Sequence, residues 1–349
     1  MSQTCRNSDS TPHNKWLAGY GFLTFAATLV LLYAGGFTTT IGAGMVFPDW
    51  PLSNGSLNPP GWTTDQAMLA EHGHRLMGGT VGLLCIGLVI FTHSVPSRTW
   101  LRRASWLALG FVVFQGLLGG LRVLLVNLDI ATVHGVTAQI FLCLLVSLAV
   151  GCSAWWQRIE VPETESDQKS WQGFRIVGSA LCLLVMLQLV IGAVMRHRGA
   201  GLAVPHFPQA TADVAWLPTV WNWATQIHMA HRFGAVLIYA VLLIWLFRIF
   251  RHANIPTAAK RLGWAALALV HVQILLGAAV IWNLRQPIET TLHVLNGAIF
   301  LSVCWSMTFV FWKPKLETSA ASLETDESIS DGPATATSSS LPNKQHASA

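Results

Sequence analysis

Charged side chains are scarce in this chain of 349 residues, of which only 11% are Asp, Glu, Lys or Arg and 52% are hydrophobic. A soluble domain is about a quarter charged, so the composition excludes an ordinary water-soluble protein. Eight apolar stretches are each long enough to cross a bilayer as a helix. They lie near residues 16–36, 70–93, 103–125, 130–154, 173–196, 225–250, 259–283 and 289–312. The sequence therefore predicts an all-α integral membrane protein with eight transmembrane helices.

Basic residues are almost missing from one side of this predicted protein. If the N-terminus lies inside, the outer segments contain only Arg122, Arg196, Arg198 and Arg285, and most of the others fall in inner loops and tails. Because cytoplasmic segments are enriched in Lys and Arg, we expect both termini on the cytoplasmic side of the cell inner membrane. The net charge of +5 is then a topology signal. The expected surroundings are membrane lipid, with no nucleic acid partner.

Cysteine is absent from every predicted outer segment, although the chain contains six cysteines. A disulfide framework needs thiols on the oxidising side of the membrane, so the sequence excludes one. Four of the cysteines lie inside apolar stretches, where they are interpreted as small apolar helix residues. These four are Cys85, Cys143, Cys182 and Cys304.

The chain contains two similar halves, which is typical of tandem structural repeats. GAGMVFPDWP at 42–51 returns as GAGLAVPHFP at 199–208, and HRLMGG from His74 returns as HRFGAV from His231. Four helices return the chain to the same side, so we expect parallel copies related by a pseudo-two-fold axis along the membrane normal. The predicted segments are an inner tail at 1–15, tandem four-helix bundles at 16–154 and 173–313, an inner linker at 155–172 and a disordered inner tail at 314–349.

Each half carries two histidines in apolar helices, where an unpaired polar side chain is costly. His74 and His134 lie at similar depth toward the outer side, and His231 and His293 repeat that arrangement. Two neutral imidazoles on facing helices can ligate one haem iron, whereas zinc needs three or four clustered ligands. The sequence therefore predicts one haem site in each half, with these four histidines on the haem iron.

An arginine directly follows the first histidine of each pair. Arg75 and Arg232 lie near the outer surface, where we expect charge-assisted hydrogen bonds to haem propionates. The alternative is an arginine that only extends its charged head to the interface. Glycines in three other stretches, among them Gly119, Gly192 and Gly277, leave room for close helix packing or for a flat macrocycle.

The halves differ three residues before the first histidine, where one copy has Glu71 and the other has His228. This spacing puts Glu71 on the helix face of His74, where a carboxylate can relay protons or stabilise positive charge. The structural alternative is an ion pair with Arg75, four residues later. The difference predicts one reactive haem site and one electron-transfer site. Hydrogen bonds to neighbours are expected for His72 and His271, and the roles of His197 and His206 stay open.

Taken together, these motifs resemble the haem A synthase family. The resemblance rests on GAGMVFPDWP, on EHGHR at 71–75, on QGLLGG from Gln115 and on the paired histidines, and it covers about residues 16–313. It implies a membrane enzyme that oxidises the C8 methyl of haem O to a formyl group, giving haem A for cytochrome oxidase. Without outer-loop cysteines, the chain is closer to the cysteine-free branch of that family.

The resemblance also implies a different role for each half. The C-terminal half would hold a haem b cofactor through His231 and His293. The N-terminal half would receive haem O at His74 and His134, with Glu71 catalytic. The partners implied are the haem O substrate, an unidentified electron donor, haem O synthase and cytochrome oxidase subunits.

Two other functions share the paired histidines. A dihaem b-type membrane electron carrier would use them too, but it has no need of two unlike sites. A haem-binding assembly factor would bind haem without chemistry. The haem content separates these functions, because a carrier holds only haem b, whereas an enzyme also holds haem O, haem A or an alcohol intermediate.

Overall fold

The computed structural model describes residues 14–313, which form nine α-helices, one short 3-10 helix at Ala200–Leu202 and no named β-strand. Eight of these helices are long and apolar enough to cross a membrane, which confirms the predicted fold class. The helices are α1 (Lys15–Thr40), α2 (Gln66–Ser94), α3 (Thr99–Leu124), α4 (Leu128–Gly151), α5 (Ala154–Gln157), α6 (Glu165–His197), α7 (Trp223–Arg251), α8 (Thr257–Trp282) and α9 (Pro287–Phe311).

Capping side chains fix where several helices begin. Asn14, Asp65, Asn127 and Asn222 each accept a hydrogen bond from an amide in the first turn of α1, α2, α4 and α7 respectively. A helix start leaves these amides without partners, so the caps stabilise it. Pro287 begins α9, where the missing N–H breaks no hydrogen bond.

The inner connection between the halves is shorter than the predicted linker at 155–172. α6 already begins at Glu165, where Thr164 accepts a hydrogen bond from the amide of Asp167 and two acidic residues occupy the first turn. A threonine cap followed by acidic residues favours a helix start. Most of the predicted N-terminal tail, and all of the predicted tail at 314–349, lie outside the described residues.

The helices α4 and α9 form the centre of the bundle. In the most apolar 18-residue window of each helix, 56% of the residues are buried in α4 and 67% in α9, against 17% in α3 and 22% in α8. α1 and α6 pack on both central helices, and the remaining long helices lie at the periphery. Cys143, Val146 and Val150 of α4 share a hydrophobic core with α6, α7 and α9. The two predicted bundles are therefore joined through a common core.

Matching backbone conformations recur in the two halves. Gly42 and Gly199, which are equivalent in the repeat, have φ angles of 74° and 72° after α1 and α6. Glycine adopts such angles without steric cost. Val126 and Leu284, in the two short outer turns, have φ angles of 47° and 52°. These matches agree with the sequence repeat, and the pseudo-two-fold axis itself stays a prediction.

Exposed tryptophans cluster at both ends of the long helices. Tryptophan is enriched where a membrane meets water, so the two clusters mark the two interfaces of a multi-pass membrane protein. The inner cluster is Trp16, Trp106, Trp264 and Trp312, and the outer cluster is Trp216, Trp221, Trp223 and Trp282.

Candidate functional site

Both histidines of the N-terminal half lie against a glycine of a neighbouring helix. His74 of α2 faces Gly35 of α1, where an added Cβ would lie 2.6 Å from Cε1 of the ring. His134 of α4 faces Gly119 of α3, where the corresponding distance is 3.5 Å. Any side chain at residue 35 would collide with the imidazole. These two glycines therefore give the predicted ligands their space.

The C-terminal half repeats this arrangement. His231 of α7 faces Gly192 of α6, and His293 of α9 faces Gly277 of α8. An added Cβ would lie 3.2 Å from the first ring and 3.1 Å from the second. Gly192 and Gly277 occupy the repeat positions of the N-terminal glycines, so both predicted sites have the same plan.

The rings of His231 and His293 face each other across the C-terminal half. Their centroids lie 6.3 Å apart, with 59° between the ring planes. One metal atom bonded at about 2 Å to a nitrogen of each ring fits within this separation. Within residues 14–313 no group of three His, Cys, Asp or Glu side chains is placed to hold a metal ion. The pair offers two facing imidazoles, which is the number of protein ligands that axial haem ligation needs.

Side-chain amides hold both C-terminal histidines. Nε2 of Gln188 donates to the carbonyl of His231 at 2.6 Å and lies 3.1 Å from its Nδ1. Nε2 of Gln273 donates to the carbonyl of His293 at 3.1 Å and lies 3.3 Å from both ring nitrogens. Asn296 in turn donates to Oε1 of Gln273 at 2.7 Å. Such outer partners fix the orientation of a metal ligand.

The N-terminal half has different residues at two of these supporting positions. Leu31 replaces Gln188, and Thr137 replaces Asn296. Gln115, the equivalent of Gln273, donates to the Thr137 hydroxyl at 2.6 Å. The side-chain amide of Gln115 therefore donates to Thr137, whereas that of the equivalent Gln273 lies beside a histidine.

The two N-terminal rings are consequently packed but not oriented by amides. Nδ1 of His74 and Nδ1 of His134 are buried, and neither has a hydrogen-bond partner in the described part of the chain. Glutamine side chains therefore approach both rings of the C-terminal pair, whereas the backbone of Leu31 and of Gln115 lies against the N-terminal rings.

Glu71 is buried, with 3% of its surface exposed. Its Oε2 accepts hydrogen bonds from the amides of Val46 at 2.7 Å and Phe47 at 3.0 Å. Its Oε1 accepts one from Nη2 of Arg75 at 2.6 Å, so the ion pair that the spacing offers is formed. The carboxylate therefore fastens the first outer loop (residues 41–65) to the start of α2.

Arg75 and Arg232 also fasten outer loops, at matching places. The propionate contacts that the sequence predicts for them stay a prediction, and in the structure both terminal nitrogens of each guanidinium donate to loop carbonyls. Their carbonyl acceptors include Phe47, Asp49 and Leu52 for Arg75, and Val204, His206 and Gln209 for Arg232. These acceptors are equivalent residues of the two loops.

A tight turn supports the first of these loops. Asp49 accepts hydrogen bonds from the amides of Asn54 and Gly55, both at 2.7 Å. The Gly55 amide is the largest of the causes that hold the pKa of the Asp49 carboxyl below its ordinary value, with the Asn54 amide and the nearby Arg75 charge adding to it. The turn keeps the Asp49 carbonyl in place for the guanidinium.

His228 takes the structural place of Glu71 in the C-terminal half. It is 3% exposed, and its Nδ1 accepts a hydrogen bond from the amide of Val204 at 3.3 Å. Val204 is the repeat equivalent of Phe47. An imidazole thus fastens the second outer loop (residues 198–222) where a carboxylate fastens the first.

Two more intramembrane histidines are hydrogen-bonded to neighbours, which confirms that expectation. His72 lies beneath the first outer loop, with its Nδ1 2.9 Å from the hydroxyl of Ser53. His271 lies between the carbonyl of Leu267 at 2.7 Å and the hydroxyl of Tyr239 at 3.1 Å. Both ring nitrogens of His271 are thus engaged, whereas Nε2 of His72 is buried without a partner in the described part of the chain.

A family match covers this whole arrangement. Residues 18–305 match the sequence model of COX15-CtaA, described as a cytochrome oxidase assembly protein. The matched range includes all four paired histidines and both outer loops. The chain belongs to the COX15-CtaA family.

Bacterial relatives of this COX15-CtaA chain carry the name Heme A synthase. The protein of Bacillus licheniformis is 31% identical over 286 residues, which cover 77% of this chain and 87% of the relative. That of Symbiobacterium thermophilum is 31% identical over 266 residues, or 73% and 83% of the two chains. That of Shouchella clausii is 28% identical over 311 residues, or 85% and 98%.

The sequence predicts the four histidines of this COX15-CtaA chain but misses the residues that support them. Gly35 lies at the end of the predicted apolar stretch at 16–36, and Gln188 lies four residues before Gly192 in a stretch that predicts only room for close packing or a macrocycle. The available signal was the repeat itself. Setting the copies side by side pairs Leu31 with Gln188 and so marks a ligand-supporting position.

Proposed function

We propose that this chain is a membrane haem A synthase, which oxidises the C8 methyl of haem O to a formyl group and so provides haem A for cytochrome oxidase. Relatives named Heme A synthase match most of its length. The observation that carries the proposal is the unequal support of equivalent histidines. An enzyme of this kind needs one permanent redox site and a second site that takes in substrate and releases product.

The permanent site is proposed to be a haem b held by His231 and His293. The ring separation of 6.3 Å and the glycines behind both rings fit such a group. A haem b bound there would supply single-electron transfer. Gln188 and Gln273 donate to the backbone carbonyls of His231 and His293, and their amide groups also lie within 3.3 Å of ring nitrogens, where they limit how far each imidazole can turn.

The substrate site is proposed to lie between His74 and His134. Haem O has to enter and haem A has to leave, so uniformly tight binding would slow turnover. The Nδ1 atoms of both rings lack hydrogen-bond partners within residues 14–313, whereas a glutamine amide lies beside each ring of the C-terminal pair. α3 lies at the periphery of the bundle, with only 17% of its most apolar window buried. This position favours entry of haem O from the lipid.

Glu71 is our candidate for the catalytic carboxylate, because it lies one turn outward from His74 on the same face of α2. Hydroxylation of a methyl group by activated oxygen consumes electrons and protons, and a carboxylate near the reacting carbon can relay those protons or stabilise positive charge on that carbon. Both oxygens are held by Val46, Phe47 and Arg75 in the structure. Proton transfer therefore requires the first outer loop to release an oxygen of Glu71.

We further propose that both termini face the cytoplasm and that the protein lies in the cell inner membrane. The scarcity of Lys and Arg in the outer segments supports this orientation. Both haem sites then lie toward the outer leaflet. The partners proposed are haem O as substrate, a donor of electrons, and haem O synthase and cytochrome oxidase subunits during assembly.

The experiment that tests this function is expression of the full chain in a host that makes haem O but no haem A. Haems are extracted from the purified protein and separated by chromatography. We expect haem b together with haem O, haem A or an alcohol intermediate. His74→Ala should abolish haem A, whereas the surface variant Arg198→Gln should match the wild type. Haem b alone from the wild type would instead identify an electron carrier or a binding factor.

A further inference from the structure

Two arginines at the outer end of the bundle form no salt bridge in the described part of the chain, although Glu71 lies near enough to one of them, Arg122, to act on its charge. Arg122 lies near the end of α3 and Arg196 near the end of α6, and both are half-buried. Neither takes part in any salt bridge formed within residues 14–313. A charge in a membrane helix is costly unless it is paired or faces a polar ligand. These two guanidinium groups therefore point to an anionic ligand.

Each arginine stands one helical turn outward from a glycine of the haem sites. Gly119 precedes Arg122 by three residues on α3, and Gly192 precedes Arg196 by four residues on α6. Residues at these spacings share a helix face. Gly119 and Gly192 are the glycines that receive one imidazole of the N-terminal pair and one of the C-terminal pair. Each site thus has one arginine at its outer edge.

Several donors of these arginines are free of protein partners. Nη2 of Arg122 donates to the carbonyl of Gly44 at 2.7 Å, and Nη2 of Arg196 donates to the carbonyl of Gly36 and the hydroxyl of Thr40. Within residues 14–313, Nε and Nη1 of both make no hydrogen bond and are not enclosed by protein. Gly36 is not among the last four carbonyls of α1, so helix capping does not explain its contact.

We infer that Arg122 binds a propionate of the substrate haem and that Arg196 binds a propionate of haem b. The inference rests on the proposed function, which supplies the haems. Propionates are the charged groups at the edge of a haem, and a guanidinium offers two parallel donors to a carboxylate. Arg75 and Arg232, whose terminal nitrogens lie on loop carbonyls, serve the outer loops instead.

Titration with a diacid and a diester haem tests this assignment. Full-length protein from a haem-deficient host is titrated in detergent with ferric protoporphyrin IX and with its dimethyl ester, followed by absorbance. The His74→Ala background reports the C-terminal site, and the His293→Ala background reports the N-terminal site. We expect Arg196→Gln in the first background and Arg122→Gln in the second to raise the Kd of the diacid about tenfold or more. The Kd of the diester should stay unchanged.

Matched variants separate a ligand contact from a fold defect. Arg196→Lys and Arg122→Lys keep the charge and should recover part of the diacid affinity, and the exposed Arg198→Gln should bind both haems as its parent does. Equal weakening of diacid and diester, or no change in either, would overturn the inference. So would a diacid-specific loss in Arg232→Gln but not in Arg196→Gln. A parent protein that binds neither haem would refute the proposed function itself.

Discussion

Glu71 and His228 accept hydrogen bonds from the amides of Phe47 and Val204, which are equivalent residues of the two outer loops. Side chains of different chemistry therefore fasten the same backbone in the two halves. The carboxylate adds a negative charge, which pairs with Arg75. Substitutions of Glu71 that keep the hydrogen bonds to the first outer loop but remove the carboxylate can therefore distinguish loop anchoring from proton transfer.

Glu71→Gln is expected to lower haem A output at least tenfold, equivalent to about 1.4 kcal/mol of barrier, with normal haem b and bound haem O. The amide oxygen can still accept from Val46 and Phe47, whereas the NH2 group cannot accept from Arg75 and no exchangeable carboxyl proton remains. Glu71→His copies the anchor of the other half and should lose activity as well. Extracted haems give the output, and thermal melting checks the fold. Full activity in both variants would reduce Glu71 to a loop anchor.

His231→Ala and His293→Ala are each expected to remove most of the low-spin haem b signal, because one imidazole cannot provide bis-histidine ligation. The measurement is the absorption spectrum of the purified variants in both oxidation states. His271→Phe is the matched control, since its ring is satisfied by Leu267 and Tyr239. A normal bis-imidazole spectrum in His231→Ala would refute the ligand assignment.

Gln188→Leu installs the N-terminal residue in the C-terminal site and is expected to speed haem b loss by about tenfold or more. The loss is followed by transfer to excess apomyoglobin. The reciprocal Leu31→Gln should slow release of haem from the N-terminal site, because the new amide can reach His74 as Gln188 reaches His231. Gln115→Leu serves as the control for haem b retention. Equal loss rates in Gln188→Leu and wild type would show that the amide has no such role.

His74→Ala and His134→Ala are each expected to abolish haem A formation while haem b remains in the C-terminal half. Both rings are placed at the N-terminal site by glycines, and the substrate needs both to be positioned. The haems extracted from each variant provide the measurement. Wild-type haem A yield from both variants would contradict the placement of the substrate.

The eight long helices could be predicted from the sequence, because their length is set by the thickness of a membrane. Their ends could not, since these depend on local caps such as Thr164, which starts α6 inside the predicted linker. The histidines were found through the repeat. The loop contacts of Arg75 were not, because its acceptors lie 23 to 28 residues away and are backbone carbonyls. No side-chain pattern encodes such carbonyl contacts.

The residues that distinguish the two sites were open to prediction only in part. The exchange of Glu71 for His228 is visible in the aligned repeats, whereas its shared structural role needs the folded loops. The contact between Gln188 and His231 joins residues 43 positions apart on different helices. Helix packing decides that contact, and an apolar run alone carries no information about it.

The covalent connection through residues 158–164 has a consequence for how two unlike sites can exist in one repeated architecture. In a symmetric dimer of identical chains, every substitution appears twice, so a glutamine that improved one haem pocket would equally tighten the other. A single chain that contains both copies is free of that constraint. Leu31 and Gln188 can then diverge while α4 and α9 keep the copies locked together. Fusion of the two copies thus allows the proposed roles, retention of a haem in one half and turnover in the other, to evolve separately.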